Sequence, residues 1–386
     1  MSIFKAGYYR HVKNCFLIIG TWPKQSKKVS YTLRVTLIGI LTSSIIPAYI
    51  HIFNVWGNYN ETIPCLAAQG TVIIAFIKYF LLIAQPNMIS KILNRINDDW
   101  KLYNRTKKIS EVMHHHAASG SRFTLIYLYS IFTAGVVWTT ASYVPVVLDI
   151  VIPMNESREK KFAYEVDYVI DSQNYYNWIQ IHCLMAVLVT DIFVCTTDCF
   201  IVMMVEHCSS LFHIVGIILR ELETENSNIT EKYEKNIISR AIVVHQNAIS
   251  LAELIEKFVT IMYGGVFLVN MIVISIGGFH MILRWDDKRE VIRMLLFLIT
   301  LSLILLFNTL PSQQLINSSG NVFYRIADCQ WNKLTLKSQI LIQIMLIRST
   351  QTNTLTAGKV YPINMENFSK IMKTSMSYFT VLKSMQ

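Results

Sequence analysis

The sequence predicts an all-α membrane protein of seven transmembrane helices, with its N-terminus in the cytoplasm and its C-terminus outside. Three observations carry this. The 386 residues are 53% hydrophobic and only 16% charged, well below the ~25% charged residues of ordinary soluble domains. The charge deficit is concentrated in stretches of about 20 residues, the length that crosses a bilayer core. Lys and Arg alternate strongly between successive connecting segments, as positive-inside sorting demands.

The spans follow in order. Leu33 to Phe53 is apolar, with Arg34 at its edge and Pro47 inside. Leu66 to Ala84 holds Lys78 as its one charge, and Phe123 to Leu148 has none. Ile179 to Val205 is long and contains Asp191 and Asp198. Phe258 to Leu283 is uncharged, and Val291 to Leu310 carries Arg293 at its edge. Asn367 to Met385 is the weakest, interrupted by Lys370, Lys373 and several hydroxyls. The alternation of a β-barrel is absent, so the spans are helical.

Orientation comes from counting Lys and Arg. The N-terminal segment and the second, fourth and sixth loops hold 24 of them, the first, third and fifth loops only 6. The first set is therefore predicted to be cytoplasmic. The fifth loop dissents locally with Arg284, Lys288 and Arg289. The same distribution explains the net charge of +10 without any nucleic-acid partner. The run Cys15 to Ile19 is too short for the core of a secretory signal, so the first span is expected to act as its own membrane signal. Sequons at Asn60 and Asn155 fall on predicted outer loops, but Asn104, Asn228 and Asn317 match on inner ones, so the motif decides little.

The connecting segments 206–257 and 311–363 show helical periodicity, including Trp331, Leu334, Ser338, Leu341 and Met345. They are too apolar to stand alone and are expected to form a helical anchor below the membrane. His114, His115 and His116 are read as a solvated loop, because adjacent histidines lack metal-ligand spacing. Cys195 and Cys199 are read as packed thiols. A Cys65–Cys183 disulfide is allowed by the predicted topology but not favoured. Signatures of zinc proteases, P-loop enzymes, dinucleotide binders and serine hydrolases are missing, so neither an enzyme nor a cofactor is expected.

Polar residues inside the spans point to function. At 100° per residue, Lys370, Lys373, Thr374, Ser377, Thr380, Val381 and Ser384 share a sector of about 120°, with Ile371, Ser375, Tyr378, Phe379 and Leu382 on the rest of the surface. Such a stripe is costly against lipid. It either lines a pore or is packed into the bundle by hydroxyl hydrogen bonds, and the spacing alone leaves both open. Asp191 and Asp198 share a helix face and suit either a cation site or packing, with Lys78 a possible partner. Phe76, Tyr79, Phe80, Trp138, Tyr143, Met185, Phe267 and Met271 are the aromatic and Met candidates for contacting a small, volatile organic ligand. Taken singly, each of them is better explained by ordinary bundle packing.

The C-terminal third resembles the insect odorant receptors. The stretch Val322 to Trp331 (VFYRIADCQW), Leu346 to Ser349 (LIRS), Leu355 to Gly358 (LTAG) and the ending Phe368 to Lys383 carry the resemblance. Gly20 to Pro23 (GTWP) and the Asp198 to His207 stretch add to it. Gln351 to Thr354 departs from the pattern where many members carry a proline. The resemblance implies a seven-helix subunit of inverted topology in the plasma membrane of a sensory dendrite. It implies four subunits around one pore, gated by an odorant and passing cations non-selectively. The partners it implies are the odorant-receptor co-receptor and membrane lipid. The long fourth-loop insertion of the co-receptor is absent, so the chain reads as an odorant-specific subunit. By the same resemblance, Tyr378 to Met385 carry the gate, with Val381 and Met385 as its constriction. A gustatory-type channel is the nearest alternative. A G-protein-coupled receptor is a more distant one, opposed by the charge count.

Overall fold

A computed structural model describes residues 2–5, 7–104, 106–154, 158, 160, 162–223 and 231–384. Eleven α-helices account for most of them: α1 Gly7–Ile18, α2 Lys27–Asn54, α3 Tyr59–Ala84, α4 Pro86–Tyr103, α5 Lys107–Thr140, α6 Val144–Val151, α7 Tyr176–Leu219, α8 Glu231–Leu283, α9 Lys288–Asp328, α10 Leu336–Ser349 and α11 Met365–Ser384. The one departure from an all-helical chain among these residues is a two-stranded antiparallel ladder, β1 Thr356–Ala357 with β2 Tyr361–Pro362.

Among the described residues, α2, α3, α5 with α6, α7, α8 and α9 are long and apolar enough to cross a membrane. The seventh predicted span is helical as α11, but it falls short of that apolarity because Lys370, Lys373 and the hydroxyls interrupt it. Large apolar side chains such as Phe53, Ile126, Leu268 and Ile272 point outward, as the faces of a bundle in hydrocarbon should.

The helices run well past the hydrophobic windows that mark them. α7 has 44 residues, α8 has 53 and α9 has 41, so at 1.5 Å per residue α8 is about 80 Å long. The expected anchor segments are therefore largely the continuations of α7, α8 and α9. Pro311, which marks the end of the sixth hydrophobic window, lies inside α9 without ending it. Membrane helices tolerate such a proline because neighbouring groups satisfy the freed backbone.

α7 is the central helix, and it packs on α1, α2, α3, α4, α5, α8 and α9. Nearly every side chain from Ile192 to Leu219 is buried, which is why apolar residues recur on every face of that stretch. All seven cysteines are buried and unbridged, so Cys65 and Cys183 stay apart and Cys195 and Cys199 are packed thiols.

The short resembling motifs have local structural reasons. Gly20 turns the chain from α1 toward α2 with φ +70°, and a side chain there would strike the Ser30 carbonyl. Arg34 and Tyr79 hold that turn by donating to the carbonyls of Gly20 (2.8 Å) and Ile19 (3.0 Å). Trp22 packs between Phe4 and Phe16. The β1–β2 hairpin, with Gly358 at φ +64°, docks on α8. Thr356 donates its backbone N–H to Glu256 (2.8 Å), and Gly358 donates to the Thr260 carbonyl (2.8 Å).

The histidine run is not a loop. It lies within α5, where His116 is buried with Nδ1 2.8 Å from Glu206 Oε2, and His114 packs against Trp100. Three adjacent histidines carried no helical periodicity of their own, and the partner, Glu206, is distant in sequence. His207 makes a parallel contact with Asp99 of α4 (3.1 Å). Neither α1 nor α4 is apolar enough to read as a span. Both are amphipathic, burying Val12, Cys15 and Phe16 in α1 and Ile89, Ile92, Ile96 and Trp100 in α4. Burial pushes the Cys15 thiol up to about 11.

Candidate ligand cavity and C-terminal helix

A partly enclosed cavity of about 180 Å³ opens within the bundle. Engineered apolar cavities of about 150 Å³ already hold a benzene molecule, so this one accommodates a ligand slightly larger than benzene. Its walls are mainly aliphatic and aromatic: Val72 and Ile74 from α3, Ile131 and Trp138 from α5, Val194 from α7, Phe297 and Leu301 from α9. Tyr164, from the segment joining α6 to α7, also lines it. Burial raises the Tyr164 phenol pKa far above its ordinary value, so this side chain stays neutral at any physiological pH.

Polar side chains interrupt these walls: Ser44, Gln69, Thr71, Thr190, Asp191, Asn270 and Thr300. Asp191 Oδ2 and both amide atoms of Asn270 are buried without a hydrogen-bond partner among the described residues. The carboxylate of Asp191 rests against α5 at Gly135, where a Cβ would collide with it.

Seven residues, or about 10 Å, further along α7, Asp198 has the opposite character. Lys78 Nζ donates to its two oxygens at 2.6 and 2.7 Å, and Tyr127 Oη donates at 2.6 Å. Lys78 also reaches Asn308 Oδ1 at 3.4 Å. The two acids that share a face in the sequence thus divide into a satisfied structural pair and a cavity group.

Of the eight aromatic and Met candidates, Trp138 lines the cavity. Phe80 is 71% exposed on the outside of the bundle, and Met185 and Met271 also face outward. Tyr79 stacks on Phe193 with ring centroids 3.7 Å apart, Phe267 is buried against Tyr263, and Tyr143 packs edge-on to Tyr176. Phe76 joins the main core. Aromatic content marks these spans but not which face of each helix turns inward. A polar residue in an otherwise apolar span was the more useful signal. It picks out Asp191, and the same rule finds Gln69 and Asn270, which composition-based reasoning passed over.

On α11, Ile371 and Ser375 are buried, and the helix packs on α8 and α9. Lys370, Lys373, Thr374 and Ser377 are exposed. The polar stripe therefore turns away from this chain's own core. Thr380, Val381 and Ser384 continue the same helix, but their side chains are outside the described set, and Met385 lies outside the described residues altogether. On α10, Ser338, Ile342 and Met345 are buried while Leu336, Ile340, Ile344 and Ile347 are exposed, leaving an uncovered apolar face on a helix flanked by polar turns.

Comparison with known proteins fits this architecture. The odorant receptor 13a of Drosophila melanogaster is 22% identical over 252 residues, covering 60% of this chain and 59% of that receptor. The chain thus matches less than two thirds of the length of that curated relative. The solved olfactory receptor OR5 of Machilis hrabei in complex with eugenol superposes with a TM-score of 0.77 at 12% identity, covering 98% of this chain and 97% of that one. A second structure of the same receptor gives 0.72 at 12% identity, covering 98% of each chain. The model of the 7tm Odorant receptor family matches residues 58–376. This multi-pass membrane protein belongs to the 7tm Odorant receptor family.

Proposed function

We propose that the chain is the odorant-binding subunit of a ligand-gated, non-selective cation channel, inserted in the plasma membrane with its N-terminus inside and assembled with the odorant-receptor co-receptor. The observation that carries the pore is the outward exposure of Lys373, Thr374 and Ser377 on α11. A hydrophilic stripe facing lipid is costly, whereas the same stripes from four subunits around an axis would form a water-filled wall. Val381 shares that stripe in the helical projection and, with Met385, is assigned the constriction.

The cavity among α3, α5, α7, α8 and α9 is assigned to the odorant. The complex of the Machilis receptor with eugenol supports a small organic ligand of this kind. The exposed apolar face of α10 supports assembly, because such a face requires a partner. Orientation rests on the 24 to 6 division of Lys and Arg.

A ligand opens the channel only by binding the open state more tightly than the closed one. The direct test is whole-cell current from this chain expressed with and without the co-receptor under a broad odorant panel. A fast, odour-evoked cation current that needs both subunits is expected. Silence of a chain shown to reach the cell surface, with a C-terminal tag inaccessible from outside, would overturn the reading.

A further inference from the structure

The walls of the cavity are apolar, yet three of its polar atoms lack partners: Asp191 Oδ2, Asn270 Nδ2 and Asn270 Oδ1. Buried polar atoms almost always find a partner, and an unmet one destabilises the fold. Asn270 is fully buried in α8, and Asp191 belongs to α7, so the unmet groups come from two different helices facing one small space. Gly135 supports the arrangement, since any larger residue there would displace the Asp191 carboxylate.

The ligand chemistry follows from what these atoms lack. Asp191 Oδ2 needs a donor, and the Asn270 amide N–H needs an acceptor. Hydrocarbons supply neither. Ethers, esters and ketones accept but cannot donate, so they leave the acid unmet. An ammonium group donates to Asp191 and to Asn270 Oδ1 but cannot accept, leaving the Asn270 N–H unmet. A carboxylate accepts but cannot donate, and burying its charge here would be costly. A hydroxyl has one donor and two acceptor lone pairs, so it alone in this series both donates to Asp191 Oδ2 and accepts from the Asn270 N–H. We propose that this cavity selects small volatile alcohols or phenols, whose hydroxyl donates to Asp191 and accepts from Asn270 while the apolar body packs against Trp138, Val72 and Phe297. This inference rests on the assignment of the cavity as the odorant site.

The test compares ligands of nearly equal size on the full chain, purified into lipid nanodiscs, with affinity read by displacement of a fluorescent apolar probe. Benzyl alcohol, its isomer anisole (an acceptor only), ethylbenzene (neither donor nor acceptor) and benzylamine (a cation) form the set. Benzyl alcohol is expected to bind about 3- to 10-fold more tightly than anisole or ethylbenzene, the range of one net hydrogen bond. Asp191→Leu is expected to erase that preference while leaving ethylbenzene binding in place, and Asn270→Leu to reduce it. The comparison of ligands on the unmodified chain stands even where a variant fails to fold.

Equal affinity for benzyl alcohol and anisole, a preference for benzylamine, or an undiminished alcohol preference in a folded Asp191→Leu variant would each overturn the proposal. Binding and current separate the two levels of interpretation. Selective binding of benzyl alcohol by a protein that passes no current keeps this inference and defeats the channel reading. Currents evoked by ethers and hydrocarbons but never by hydroxyl compounds do the reverse.

Discussion

Lys78 Nζ lies 2.6 Å from Asp198 Oδ1, and both side chains are buried in the middle of long apolar helices. With Tyr127 and Asn308 the pair ties α3, α5, α7 and α9 together. Removing one member leaves a buried charge with no countercharge, which costs about 3–5 kcal/mol. Lys78→Met is expected to lower the melting temperature sharply and to deplete the protein from the cell surface. The double variant Lys78→Met with Asp198→Leu should recover much of that loss. Thermal stability by fluorescence-detected gel filtration checks it, and a double variant no better than Lys78→Met alone would show that the pair is not the source of the stability.

Trp138 and Phe80 make a second, paired prediction. Trp138 lines the cavity, whereas Phe80 faces outward. Trp138→Ala is expected to weaken activation by any effective odorant at least about tenfold, since a large aromatic contact is lost. Phe80→Ala should leave potency unchanged. Concentration–response curves for the two variants decide it, and the opposite order would move the ligand to the outer surface of α3.

The gate assignment predicts leak. Val381→Ser should raise the current measured in the absence of odorant, because a hydrophobic constriction closes a pore by excluding water. Unchanged basal and evoked currents would remove Val381 from the gate.

The hairpin makes a fourth prediction. A Cβ on Gly264 would come within 3.2 Å of the Gly358 amide nitrogen. Gly264→Val is therefore expected to push the hairpin off α8, with an overpacking cost of about 1–3 kcal/mol. Odorant binding in the cavity should persist while evoked current falls. Normal currents from this variant would show that the seat of the hairpin is not needed for opening.

The sequence disclosed the bundle because the hydrocarbon imposes a length and a composition on every span. It also disclosed the stripe on α11, since a 3.6-residue period is enough to group Lys373, Thr374 and Ser377. It did not disclose which faces of the aromatic spans meet. That depends on rotations between helices, and Phe80 and Trp138 look alike in composition while one points outward and the other inward. The amphipathic helices α1 and α4 escaped notice because attention to hydrophobic windows passes over helices whose apolar face is narrow. Asp191 and Asp198 were visible as buried acids. Packing separated them, by delivering Lys78 of α3 and Tyr127 of α5 to Asp198 and no donor to Asp191 Oδ2.

The unbroken course of α8 places Asn270 in the cavity wall and Thr260 under the hairpin on a single rod, about 15 Å apart along its axis. An α-helix transmits tilt and translation over that distance with little loss. Under the proposed channel reading, a ligand that displaced the rod at Asn270 would carry the hairpin, and the root of α11 beyond it, in the same stroke. Sensing and opening would then share one mechanical part, and a kink introduced between residues 260 and 270 would uncouple them without touching either end.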